Sequence, residues 1–148
     1  RKNDGNKQSN VQLAMDLYQI GGEQGCAEGW FNVGQLLWTG YPAVSDDDGN
    51  HQGDQHEQEL ECNREAAMEA FWKAIDAGDV DAMYFVGVQI IATDGDGEDS
   101  STIDKGFELI QRAAHEKHGG ALYYLALLHL NGNDLLKLSS SEAKFMRY

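Results

Sequence analysis

Proline is almost missing from this chain: Pro42 is the only one in 148 residues. A fold of many short strands joined by tight turns draws on proline more often, so a β-rich architecture is disfavoured. Cysteine is nearly as scarce. Cys26 and Cys62 build no disulfide framework; they read as two free thiols in a reducing, cytoplasmic compartment, with a single bridge between them as the alternative. No apolar run reaches the ~18 residues of a membrane-crossing helix, and no charged-then-apolar leader opens the chain. The sequence starts at Arg1, and the expectation is a piece of a longer protein.

Positive charge is also short. Eleven Lys and Arg face 25 Asp and Glu, for a net charge of −14. Residues 43–63 hold seven acids and no Lys or Arg, and residues 94–104 hold five more, again without a base. The remainder has 13 acids against 11 bases, a net of −2. The acidity therefore belongs to two loop-like stretches, where charge mainly serves solvation. Nucleic acid is excluded as a partner, because phosphate contact needs a basic face.

What the chain does have is helical patterning. In GWFNVGQLLWTG (29–40), Trp30, Phe31, Val33, Leu36, Leu37 and Trp38 follow helical spacing around Gly34. A mid-helix glycine costs about 1 kcal/mol against alanine. Close approach of a second helix would explain it. The segment recurs: GCAEGWFNVGQLLWTG (25–40) aligns with GDVDAMYFVGVQIIAT (78–93) and with GGALYYLALLHLNG (119–132). The columns are Gly29, Ala82, Ala121; Val33, Val86, Leu125; and Gly34, Gly87, Ala126. The preceding segments recur too, as LAMDLYQIGGEQG (13–25), AAMEAFWKAIDAG (66–78) and KGFELIQRAAHEK (105–117). A fourth copy begins in SSSEAKFMRY (139–148), capped by Ser139, Ser140 or Ser141 and truncated. The column Ala14, Ala67, Gly106, Ala143 has spacings of 53, 39 and 37. Removing the acidic stretch brings the first spacing into line. A period of about 40 built from two helices means an α-solenoid.

These columns resemble Sel1-like repeats, relatives of tetratricopeptide repeats. That family's first helix runs A-x-x-x-L-G-x-x-Y-x-x-G and its second A-x-x-W-Y-x-x-A-A-x-x-G. Gly29, Val33, Gly34, Leu37 and Gly40 match the first helix, as do Ala82, Val86, Gly87 and Ile90, then Ala121, Leu125, Ala126, His129 and Gly132. The tyrosine column departs, reading Leu, Ile, His, and the G-x-G-V-x-x-D turn is missing. The resemblance implies an all-α superhelix of antiparallel helix pairs over residues 10–148, with a disordered tail at 1–9 and an acidic loop insertion at 43–62.

Sites of chemistry do not emerge. DDDGNHQGDQHE (46–57) places oxygen ligands at calcium-loop positions, but His51 stands where the sharp turn needs glycine. TDGDGED (93–99) fails at Lys105. His51, His56 and Cys62 match no zinc spacing. His115 and His118 suit a helix C-terminus, and His129 falls in a core column. No nucleophile elbow, triad, phosphate loop or dinucleotide fingerprint occurs. No catalysis, metal or cofactor is expected.

The resemblance places the first helices on a concave face. Phe31, Gln35, Trp38, Tyr84, Val88, Ile91, Tyr123, Tyr124 and Leu127 would then line a groove for a protein or peptide, or for another domain of the same chain. The competing interpretation makes them core between adjoining helices. The function this implies is a protein-interaction scaffold. The alternative is a C-terminal regulatory repeat region of an enzyme such as an elongation-factor-2-kinase-like alpha-kinase.

Overall fold

The computed structural model describes residues 10–41, 60–94 and 100–130. The 1–9 tail, the calcium-like loop at 46–57 with the rest of 42–59, residues 95–99, and the fourth copy within 131–148 lie outside the described residues. Six helices account for nearly all the rest: α1 (Asn10–Glu23), α2 (Ala27–Thr39), α3 (Arg64–Asp76), α4 (Val80–Asp94), α5 (Ser100–His115) and α6 (Gly119–Leu130). Extended pairing among the described residues is limited to one antiparallel bridge, Tyr41 with Leu60. The all-α expectation holds. Two compact units divide between Ala82 and Met83, in the first turn of α4.

The strongest sign of repetition is how helices are joined. Each odd-numbered helix ends in the same two hydrogen bonds. After α1, the Gly25 N–H donates to the Gly22 carbonyl and the Cys26 N–H to that of Gly21, both at 3.0 Å. After α3, Gly78 donates to Ile75 and Asp79 to Ala74; after α5, Lys117 donates to Ala114 and His118 to Ala113, all four at 2.9 Å. This double closure, one bond three residues back and one five back, satisfies the last carbonyls of the helix. It requires a left-handed residue between them. Gly25 (φ 96°), Gly78 (φ 93°) and Lys117 (φ 64°) take that conformation. They are 53 and 39 residues apart, the spacings of the sequence repeat.

Lysine is the poorest of the three for that backbone, because its Cβ crowds the following carbonyl. Lys117→Gly is therefore expected to stabilise the chain by about 1 kcal/mol. Urea unfolding measures it; an unchanged midpoint would mean the turn is already relaxed.

In the first unit, α1 packs on α2 and α2 on α3. The α1–α2 crossing has no room for side chains: a Cβ on Gly29 would collide with the Tyr18 carbonyl and the Gly22 amide. Trp30 lies against Gly22, whose Cβ position is 2.7 Å from the indole. At the α2–α3 seam, Gly34 faces the Phe71 ring, 2.5 Å from where its Cβ would stand. Phe71 is fully buried, with Ala67, Ala70, Ala74 and Ile75 around it on the inner face of α3. The α2 C-terminus is tied down as well. Leu37 accepts from the Asn63 N–H at 2.8 Å, and Trp38 from the Cys62 thiol at 3.0 Å. Asn63 then caps α3 by accepting from the Ala66 N–H. The chain thus leaves at Tyr41 and returns at Leu60 to the same point.

In the second unit, α5 packs on α6, and α4 meets α5 glycine to glycine. A Cβ on Gly87 would lie 2.7 Å from the Gly106 carbonyl and 2.7 Å from Ile110; one on Gly106 would lie 3.0 Å from the Gly87 carbonyl. Val86, Phe107, Leu109, Ile110, Ala113, Ala121 and Leu125 form the buried core there.

Candidate binding surface

Three helix starts follow the three turns, and each begins with a different residue. Cys26 offers α2 no side-chain cap. Asp79 accepts from the Ala82 N–H at 2.7 Å. His118 accepts through Nδ1 from the Ala121 N–H at 3.1 Å. His118 therefore serves the start of α6 rather than the end of α5; its position immediately after the left-handed residue, matching Asp79, is the signal that locates it. His129 is exposed, not core.

Asp79 is a buried acid. Burial raises its pKa above the ordinary 3.8, and the neighbouring charges of Asp81 and Glu28 raise it further, against the lowering by backbone N–H donors. A raised carboxyl pKa favours the folded state only while the group stays protonated. That contribution is complete below 3.8 and is lost as pH climbs through the higher folded value. Asp79→Asn keeps an acceptor for the cap and removes the charge. The variant is expected to exceed wild type in stability near pH 7, with the gap closing toward about pH 3.8. Asp79→Ala removes the cap as well as the charge and should lie about 1–2 kcal/mol below Asp79→Asn at every pH. Thermal melts over that range distinguish the two.

The nine groove candidates fall on both units. In the first, Phe31 and Trp38 are half-buried against Phe71, with ring centroids 5.8 and 6.3 Å away. The Arg64 guanidinium sits 4.7 Å over the Trp38 ring, and Lys73 Nζ sits 4.4 Å over Trp30. These rings belong to the α2–α3 seam. Gln35 is exposed beside it. In the second unit Ile91 is buried and unavailable to a partner. Tyr84, Val88 and Tyr124 are half-buried, and Tyr123 and Leu127 are exposed. A helical face explains the division. Phe31 and Trp38 stand three before and four after Gly34, and Ile91 four after Gly87, so they share the face of the contact glycine; Tyr84, three before Gly87, lies at the edge of that face as well.

What the second unit brings together is an aromatic cluster. Tyr84 stacks on His118 at 4.8 Å and meets Tyr124 edge-on at 6.5 Å. Gly120 lets α6 approach, its Cβ position being 3.0 Å from the Tyr84 ring. Burial, and the Tyr84 hydroxyl nearby, push the Tyr124 phenol up from its ordinary value, keeping it a neutral donor. Elsewhere in this unit Met83, Glu108, Gln111, Arg112, His115 and Glu116 line an open groove of about 370 Å³.

Among the described residues no three His, Cys, Asp or Glu side chains converge as metal ligands, and no helix is long and apolar enough to cross a membrane. Cys26 and Cys62 are free and exposed. Compared with protein-family models, curated proteins and solved structures, the chain has no significant match in any of the three.

Proposed function

We propose that this chain is a helical-repeat interaction module of the Sel1-like type, its helix pairs stacked as a solenoid that holds a peptide segment. The observation that carries this is the threefold recurrence of one connector, a left-handed residue followed by a helix start, at the repeat spacing. Helix pairs of this kind bury their apolar faces on one another and present a continuous outer surface suited to binding. Support for the place of binding comes from the second unit. Tyr84 and Tyr124 combine ring area with polar tips and partial exposure, and Val88 and Leu127 add accessible aliphatic surface on the same two helices, the chemistry of an interface anchor.

The test begins with peptides selected from a random displayed library on the wild-type chain. Val88→Ala and Tyr124→Ala are each expected to weaken a selected peptide at least tenfold, about 1.4 kcal/mol, in a fluorescence titration. Gln35→Ala, in the other unit, should leave affinity unchanged. A melt of each variant confirms the fold. Undiminished binding by both folded variants would remove this patch from the site.

A further inference from the structure

The repeat register pairs a filled position in the first unit with an open one in the second. Met83 of α4 stands in the column of Trp30, each directly after its small residue, Ala82 or Gly29. Arg112 of α5 stands in the column of Lys73, each six after Gly106 or Ala67, and Gln111 stands in the column of Trp72. In the first unit the Trp30 indole is half-buried, and Lys73 Nζ lies 4.4 Å over its ring. In the second unit the cation is kept and both tryptophans are gone. Met83 and Arg112 there line the open groove of about 370 Å³. Among the described residues no ring lies over the Arg112 guanidinium.

We infer that this groove takes a tryptophan side chain from a partner protein, its indole seated between Met83 and Arg112 as the Trp30 indole is seated under Lys73. The walls suit that ring. Met83 is buried and forms the floor, and a thioether packs favourably against an aromatic ring. Arg112 is exposed above it, and a flat guanidinium stacks on the negative face of an indole. Glu108, Gln111 and Glu116 put acceptors around the groove, which an indole N–H can use and a phenyl ring cannot. Charge selects what flanks the ring. Glu108 and Glu116 stand four before and four after Arg112, and both are exposed. Two carboxylates against one guanidinium favour lysine or arginine beside the tryptophan and disfavour acids. The groove shares no residue with the Tyr84–Tyr124 patch, so either site can fail without the other.

Methyl NMR of the 148-residue chain labelled at its four methionines tests it, with the Met83 signal assigned from Met83→Leu. The probe is the peptide Ac-Lys-Trp-Lys-amide. It should move the Met83 methyl upfield by ring current and saturate with a Kd of about 1 mM, the scale of a single anchor. Ac-Lys-Leu-Lys-amide, with the same charge and no ring, should give no saturable shift, and Ac-Glu-Trp-Glu-amide should bind more weakly than the basic peptide. Arg112→Gln, at an exposed position, should weaken the basic peptide at least threefold. Glu69→Gln, in the column of Glu108 but in the first unit, should leave it unchanged. Circular dichroism checks that both variants keep their helicity. No saturable Met83 shift up to about 10 mM peptide, equal binding of the leucine or the acidic peptide, or undiminished binding by folded Arg112→Gln would overturn the inference.

Discussion

Gly87→Leu is expected to destabilise the chain by about 3 kcal/mol or more. The first added carbon would already stand 2.7 Å from the Gly106 carbonyl oxygen, and that oxygen is backbone. No side-chain rotation relieves such a clash, so α4 and α5 must separate and expose Ile110, which is now fully buried. Thermal unfolding should fall by about 10 °C. Gly21→Ala provides the opposite sign. Nothing lies within 4 Å of the Cβ position at Gly21, and its φ is not among the positive ones. Alanine there should stabilise α1 by about 0.5–1 kcal/mol through helix propensity alone. Equal effects of the two substitutions would show that space at the glycine column does not matter.

Phe71→Ala is expected to cost about 3–5 kcal/mol. The ring fills the notch at Gly34 and carries Phe31 and Trp38 on either side. Its removal leaves a cavity bounded by three residues of α2 rather than a single lost contact. Urea unfolding followed by tryptophan fluorescence reports both the midpoint and the change around Trp38. A loss below about 1 kcal/mol would mean that the seam closes over the gap.

Much of the helical framework was legible in the residues. Gly25 and Gly78 marked two of the turns, and the Gly34 and Gly87 columns marked close crossings that the structure places against Phe71 and Gly106. The third turn was harder to see because Lys117 holds the left-handed position that glycine holds elsewhere, while Gly119 and Gly120 follow inside α6. The role of His118 was hidden for the same reason.

The binding surface was less legible. α2 is apolar on several sides, with Trp30, Phe31, Val33, Leu36, Leu37 and Trp38, so periodicity alone does not say which ring meets solvent. The ring contacts with Phe71 and the burial of Ile91 are what place Phe31, Trp38 and Ile91 among the packing residues. The Tyr84–His118–Tyr124 cluster joins residues 34 and 40 positions apart. Only the approach of α6 at Gly120 brings them together.

The most direct test of the account is whether Gly34 exists to admit Phe71. A double-mutant cycle measures it, with stabilities from urea unfolding. In the wild-type background Gly34→Ala should cost about 2 kcal/mol, because the new methyl meets the ring. With Phe71→Ala already in place the same change should stabilise by about 0.5–1 kcal/mol, because only the helix propensity of alanine remains. A Gly34→Ala effect of the same sign and size in both backgrounds would contradict the account.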